Sequence, residues 1–445
     1  MQQEDVIILG GGVTGLAAGM TSGWPVLEAQ EAPGGICSTY YLHPDGRRGT
    51  SQFDGAYRFE YGGGHWIFGA TGPVLTALQQ LCPLQQHERH SSVFFPEEQK
   101  LIPYPIQNHL RYFSPRVAQR ILSEVQENVF SASTMDEWCQ HHFGQILTDL
   151  FFTPFHERYT AGLHTKIAPQ DSYKSPVDIA LMHTGAQANT QAVGYNTQFL
   201  YPRDGLNVLI GAMADRCDIH LSKHVGEIDV HRKILCCNDG SSYRYHTLFS
   251  TLPLNQMLRM IGLETQARED PYTSVLVLNI AAERGPRCPK EHWLYIPESK
   301  AGFYRVGFYS NVEPTFLPTS VRNTHVSLYV ERAYRGGLRP TEKEKQQYSD
   351  AVIAELQQWG FIQKTHIVDA TWVETAYTWS WPNSGWREEA LALLQSHDIH
   401  QIGRYGRWKF QGIAESIREG IECRIQKPSC VDSRVAQGKM RGAHR

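Results

Sequence analysis

The sequence predicts an α/β fold assembled from non-consecutive pieces: a parallel-sheet unit drawn from both ends and the middle of the chain, interrupted by a helical and a strand-rich insertion. Three observations lead there. A short apolar strand near the N-terminus runs straight into a glycine turn and a helix. Short apolar strands that read as the return of the same sheet lie in residues 200–270 and 395–426. Between these returns the periodicity is mainly helical over 71–199 and alternating over parts of 271–394.

The first element is Val6-Ile7-Ile8-Leu9, a run of buried-strand type. It enters Gly10-Gly11-Gly12-Val13-Thr14-Gly15 and then the helix-forming Leu16-Ala17-Ala18-Gly19-Met20. Strand, Gly-x-Gly-x-x-Gly and helix in this order form a Rossmann-type dinucleotide fingerprint. Gly10 permits the turn, Gly12 lets the backbone approach a pyrophosphate, and Gly15 lets helix and strand pack closely. The helix N-terminus presents N–H groups to the phosphates. A second strand, Val26-Leu27, ends in Glu28, at the spacing where a carboxylate takes ribose hydroxyls. That negative charge disfavours a 2′-phosphate. Gly34-Gly35 follows, a second pair that permits close approach to the dinucleotide. These residues by themselves fit FAD or NAD.

Lys223 to Leu235, with Val225, Ile228 and Val230 alternating, reads as a strand pair before the Asn238-Asp239-Gly240 turn, and Leu248 to Leu252 as another strand. Ile399 to Tyr405 gives a last strand, followed by a helix over Ala414 to Ile425. The nucleotide domain is therefore expected from 1–70, 200–270 and 395–426, with Val225 among its cofactor contacts. The 71–199 insertion is expected to be mainly helical, 271–394 a sheet-containing substrate domain, and 427–445 a loose polar tail.

Bulk properties narrow the function classes. The chain has 445 residues, 20% of them charged, and a net charge of -3, so bulk electrostatics give no attraction for nucleic acid. An anionic ligand must be held by a few placed cations. Nine cysteines without metal-type spacing read as reduced thiols, and no metal is expected. A strand beginning within a few residues of the N-terminus leaves no room for a signal peptide, and no apolar run is long enough to span a membrane. The expected location is cytoplasmic, and an oligomer remains compatible with the sequence.

Several further motifs resemble the UDP-galactopyranose mutases, in particular their larger, eukaryotic-like branch. In order along the chain they are Gly63-Gly64-His65-Trp66-Ile67-Phe68, Ile102-Pro103-Tyr104-Pro105-Ile106-Gln107-Asn108, Asp136-Glu137-Trp138 and Leu150-Phe151-Phe152-Thr153-Pro154-Phe155. They continue with His292-Trp293-Leu294-Tyr295-Ile296-Pro297-Glu298, Phe303-Tyr304-Arg305-Val306-Gly307-Phe308-Tyr309-Ser310-Asn311 and Gly403-Arg404-Tyr405-Gly406-Arg407-Trp408. The resemblance implies an FAD-binding domain and a non-redox use of reduced FAD, whose N5 attacks the anomeric carbon of a nucleotide-sugar while pyranose and furanose forms interconvert. NADPH or NADH is the candidate reductant.

By the same resemblance, His65 and Arg305 are the candidate catalytic residues, Arg305 and Tyr295 bind the diphosphate, Tyr104 lines the cleft, and Gly64, His65, Gly403 and Arg404 join the cofactor contacts. A guanidinium suits a phosphate because it offers two parallel hydrogen bonds. The chain departs from the family pattern in places. Lys174 stands in for a second diphosphate arginine, Phe410 for a tyrosine, Ala414 for an asparagine, and Trp381 for another tyrosine of the cleft. These changes keep two alternatives open: an FAD-dependent oxidoreductase of amine-oxidase type, and a related non-redox flavin hydratase or lyase.

Overall fold

The structure, a computed structural model, describes residues 1–125, 132–170, 178–188 and 197–423. The candidate Lys174 and the predicted tail lie outside the described residues.

At the centre of the nucleotide-binding unit is a five-stranded sheet in the order Ile219–His220, Val26–Leu27, Val6–Leu9, Thr247–Ser250, Ile399–Gln401, with every neighbouring pair parallel. A parallel sheet is covered on both faces, so its strands read as unbroken apolar runs. All four residues of Val6–Leu9 are buried accordingly. Helices Val13–Ser22 and Ile413–Glu422 pack against each other so closely that a Cβ on Gly420 would come within 2.4 Å of the Thr14 carbonyl oxygen. The unit thus joins the first, middle and last segments of the chain. Its last segment begins earlier than expected, at helix Trp386–Gln395, whose Trp386, Ala390 and Leu394 share a core with Ile7, Leu9 and Leu248.

The strand pair expected over Lys223 to Leu235 is present as Val225–Asp229 and Ile234–Cys237, but not in the parallel sheet. With Ser242–Arg244 and Gln2–Gln3 it makes a separate four-stranded sheet. Its antiparallel hairpins satisfy their hydrogen bonds locally, so they need no place in the parallel ladder.

The substrate side is dominated by a seven-stranded sheet in the order Lys100–Pro103, Ser91–Phe95, Trp293–Tyr295, Arg305–Gly307, His325–Arg335, Tyr272–Arg284, Ile362–Thr378. Side chains alternate between its faces. Leu276, Leu278, Leu328 and Val330 point to one face, where they form a core with Tyr348, Val352 and Leu356 of helix Glu342–Gln358. Val275, Val277, Tyr329 and Ala333 point to the other, towards the nucleotide-binding unit.

The 71–199 insertion is less helical than its sequence suggests. Leu84–Glu88 pairs with Gln198–Pro202, and Ser91–Phe95 and Lys100–Pro103 enter the seven-stranded sheet. Lys100–Pro103 closes a hairpin on Ser91–Phe95, but Leu84–Glu88 and Ser91–Phe95 themselves are short and take partners far along the chain, so local periodicity does not reveal them. The helical part of the insertion consists of Pro115–Glu124, Met135–Leu147, Thr153–Tyr159 and Ile179–Gln187. Thr134 and Glu137 close the start of the second with a capping box.

Candidate active site

The cofactor crevice is made largely of backbone. Gly10 adopts φ +95°, a left-handed conformation that favours glycine. A Cβ on Gly15 would lie 1.9 Å from the Gly10 carbonyl oxygen, so the helix can approach the turn only with glycine there. A Cβ on Gly12 would meet nothing within 4 Å, leaving a cradle in front of the helix N-terminus. No side chain caps that terminus and no acidic residue sits in the first turn, so its N–H groups suit an anion. Glu28 is buried; its Oε2 accepts from the Gly11 N–H (2.6 Å) and its Oε1 from the Gln30 N–H (2.8 Å). A carboxylate retains further lone pairs after two such bonds, enough for a ribose hydroxyl. Gly34 donates its N–H to the Gly11 carbonyl (2.9 Å), and Gly35 lies over Gly12. Val225 lies two residues beyond Lys223, whose N–H donates to the Glu28 carbonyl (2.8 Å). The late motif also reaches the turn: Gly403, at φ +77°, sits so close to Thr14 that a Cβ would come within 2.6 Å of its hydroxyl. These residues fit a dinucleotide pyrophosphate.

The Gly62–Gly64 loop connects crevice and cleft. A Cβ on Gly64 would strike the Tyr329 hydroxyl at 2.3 Å, and one on Gly63 would lie 3.2 Å from Glu331 Oε1. The His65 N–H donates to Glu60 Oε2 (3.2 Å), and its Nδ1 lies 3.0 Å from the Gly63 carbonyl oxygen. A carbonyl only accepts, so Nδ1 carries the proton and Nε2 is the acceptor. Burial pushes the imidazole down to about 4, so it is neutral near pH 7. Glu60, fully buried, also accepts a short hydrogen bond from the Tyr201 hydroxyl. Burial raises its carboxyl to about 7.

Cross-strand register sets the substrate side. Tyr295 lies opposite Arg305, and Arg305 opposite Glu331. Arg305 Nη2 donates to Glu331 Oε1 (2.7 Å) and Oε2 (2.5 Å) and to the Tyr377 hydroxyl (3.2 Å). Tyr304 donates its hydroxyl to Glu331 Oε2 (2.5 Å). Burial disfavours the guanidinium charge, but Glu331 and the surrounding tyrosine hydroxyls more than offset it, so Arg305 stays charged. Its Nε–H is buried without a partner among the described residues.

A chain of rings links the predicted cleft residues. The Tyr104 and Tyr295 rings are 4.5 Å apart, Phe155 lies 5.5 Å from Tyr295 and from Tyr159, and Tyr159 lies 4.7 Å from Tyr377. The Arg404 guanidinium then lies 5.2 Å from the Tyr377 ring and 4.4 Å from Phe410. Its Nη1 and Nη2 donate to the Gln411 and Ala376 carbonyls. Tyr104, Tyr295, Arg305, Arg404 and Phe410 are thus joined through one wall, and His65 lies within electrostatic range of Arg404, Glu331 and Arg305. Trp381 packs on the same small core as Tyr159 and Tyr377, but its indole N–H is turned away to the Glu269 carbonyl (2.9 Å), and Arg268 lies 4.0 Å over its ring. It follows the end of the long edge strand, where the backbone is already tied to Asp270.

Sequence reasoning missed Glu60, Glu331, Tyr159 and Tyr377. Glu331 had a weak signal, a lone carboxylate on the apolar strand His325–Arg335. The other three carried none.

A strand-turn-helix crevice open to a dinucleotide, facing a sheet-borne cleft, defines a flavoprotein class. The flavin-containing amine oxidoreductase family model matches residues 25–421, and the chain belongs to that family. Its cofactor is FAD. The fold is similar to that of a reduced UDP-galactopyranose mutase, with TM-score 0.80, 21% identity and 96% of each chain covered. It is also similar to a putative protoporphyrinogen oxidase from Exiguobacterium sp. 255-15, with TM-score 0.68, 13% identity, and 96% and 98% of the two chains covered. A putrescine oxidase double mutant aligns with TM-score 0.55, 14% identity, and 96% and 99% covered. No curated protein matched the sequence. Among the described residues, no helix is long and apolar enough to cross a membrane, and no cluster of His, Cys, Asp or Glu could hold a metal ion.

Proposed function

We propose that this protein is a non-redox flavin enzyme of the UDP-galactopyranose mutase type, interconverting the pyranose and furanose forms of a nucleotide-sugar. The observation that supports this reading is the row Tyr295, Arg305, Glu331 beside the Gly62–Gly64 loop, a cation held by its own carboxylate close to the glycine loop. Reduced FAD, when bound, supplies a nucleophilic nitrogen to the anomeric carbon.

The chain's own residues do the rest. Arg305, anchored on Glu331 through Nη2 and still part-exposed, offers its remaining guanidinium N–H groups to a departing diphosphate and holds it for return. The hydroxyls of Tyr104 and Tyr295 stand on the same wall, and the rings of Phe155 and Tyr159 exclude water from a sugar whose ring is open. His65, neutral, offers Nε2 as a hydrogen-bond acceptor and adds no charge. Lys174 is a proposed second diphosphate cation, and NADPH or NADH the proposed reductant.

The test is a single incubation. Purified yellow protein, reduced with dithionite under nitrogen, is mixed with UDP-galactofuranose and related nucleotide-sugars, and ring-size products are analysed. Conversion that needs reduced flavin but consumes no net reductant supports the mutase reading. A second reading, amine-oxidase-type oxidation, draws on the Arg305–Glu331 pairing, which leaves that part of the wall near neutral and aromatic. Flavin reduction by an amine, with oxygen consumption and no ring-size products, would select it.

A further inference from the structure

We propose a second ligand site, for a nucleoside phosphate, on the helix-covered face of the seven-stranded sheet. Along His325–Arg335, Glu331 belongs to the Arg305 side, so Arg332 and Tyr334 alternate to the other face with Leu328 and Val330. There a cavity of about 580 Å³ opens, within the range of small-molecule sites and larger than an inorganic anion needs.

Its walls are built for an anion carrying a ring. Lys300, Arg332 and Arg339 line it against one carboxylate, Glu344. That carboxylate is engaged in capping: Glu344 Oε2 accepts from the Thr341 N–H and hydroxyl, both at 2.7 Å. The cations are presented by a fixed frame. Buried Glu355 holds the turn below, accepting from the Lys300 N–H (2.8 Å), the Ala301 N–H (2.9 Å) and the Ser299 hydroxyl (2.9 Å). Arg332 donates through Nη1 to the Ala301 carbonyl (3.2 Å) and lies 5.1 Å from both the Tyr334 and Tyr348 rings. Its position is therefore set before any ligand arrives, which lowers the ordering cost of binding. Tyr334 and the exposed Leu338 add an aromatic and an aliphatic surface to the lining. Two exposed cations, one fixed guanidinium and an apolar wall match a phosphate joined to a base.

The experiment is calorimetric titration of ADP into the flavin-loaded protein, with inorganic phosphate and adenosine as separate titrants. Lys300 and Arg339 are exposed, so the Lys300→Ala/Arg339→Ala variant should keep its flavin and its melting temperature. It should lose at least tenfold in affinity for one ADP step, and that step should persist in Arg305→Ala, separating it from the catalytic cleft. Arg339→Glu alone should also weaken it by more than tenfold. The proposal fails if ADP affinity is unchanged in both variants, or if every ADP step disappears in Arg305→Ala. Phosphate binding as tightly as ADP would overturn the nucleoside assignment.

Discussion

The cofactor crevice and the substrate cleft face each other across the Gly62–Gly64 loop and are built in opposite ways. The crevice is defined by what its residues lack. Gly12 and Gly15 leave room that any side chain would fill, and the N–H groups of one helix do the binding. The cleft is defined by what its side chains hold: the Arg305 and Arg404 guanidinium groups, the Glu60 and Glu331 carboxylates and a chain of aromatic rings, brought in by strands and helices distant in the sequence. A site made of backbone tolerates no added atom. One made of side chains tolerates exchange, provided charge and hydrogen bonds stay matched.

That contrast can be broken or sharpened by substitution. The largest effect is expected from Gly12→Val, whose side chain would occupy the cradle. Flavin retention should be abolished, and a variant that purifies yellow would refute the assigned turn. Next, Arg305→Ala should weaken nucleotide binding by about 2–4 kcal/mol, the cost of removing one charge from a paired, partly desolvated site. Unchanged UDP-sugar binding would remove Arg305 from the diphosphate role.

Glu331→Gln separates stability from binding. It leaves a half-buried guanidinium without its counter-ion and should destabilise the fold by about 1–3 kcal/mol. At the same time it frees positive charge for the ligand, so UDP affinity should rise several-fold; a fall in affinity would show that Glu331 only orients Arg305.

Glu60 gives a pH-dependent effect. Its folded carboxyl sits at about 7, above the ordinary 4.5, so the folded state holds the proton more tightly than the unfolded chain. Its contribution to stability is full below about 4.5 and falls away as pH rises through about 7. Thermal unfolding of Glu60→Gln should therefore show a flatter pH profile over that window. An unchanged profile would place the carboxyl's titration elsewhere. The smallest effect is expected from Trp381→Phe, within about 0.5 kcal/mol in ligand binding, because the indole serves Glu269 and Arg268. A larger loss would return Trp381 to the cleft.

The strands and helices around the glycine turn were legible because their signals are local. A buried strand, a turn needing φ > 0 and a helix start lie within one continuous stretch. The edge strand Ile362–Thr378 was not singled out: it exposes Val368 and mixes Lys364, His366 and Asp369 among its apolar residues, as an edge facing water on one side does. It nevertheless delivers Tyr377 to Arg305. The family-like motifs pointed to Tyr295 and Arg305, but nothing near either residue announced Glu331.

The sequence by itself determined the cofactor class, since which residues are glycine and where the acidic strand end falls are one-dimensional facts that set what the backbone can cradle. Only the tertiary structure decided the charge and reach of the cleft. Arg305 and Glu331 meet through the pairing of strands 26 positions apart, and Glu60 meets Tyr201 across 141. Such contacts follow from sheet register and burial, whose energetics depend on partners distant in the chain.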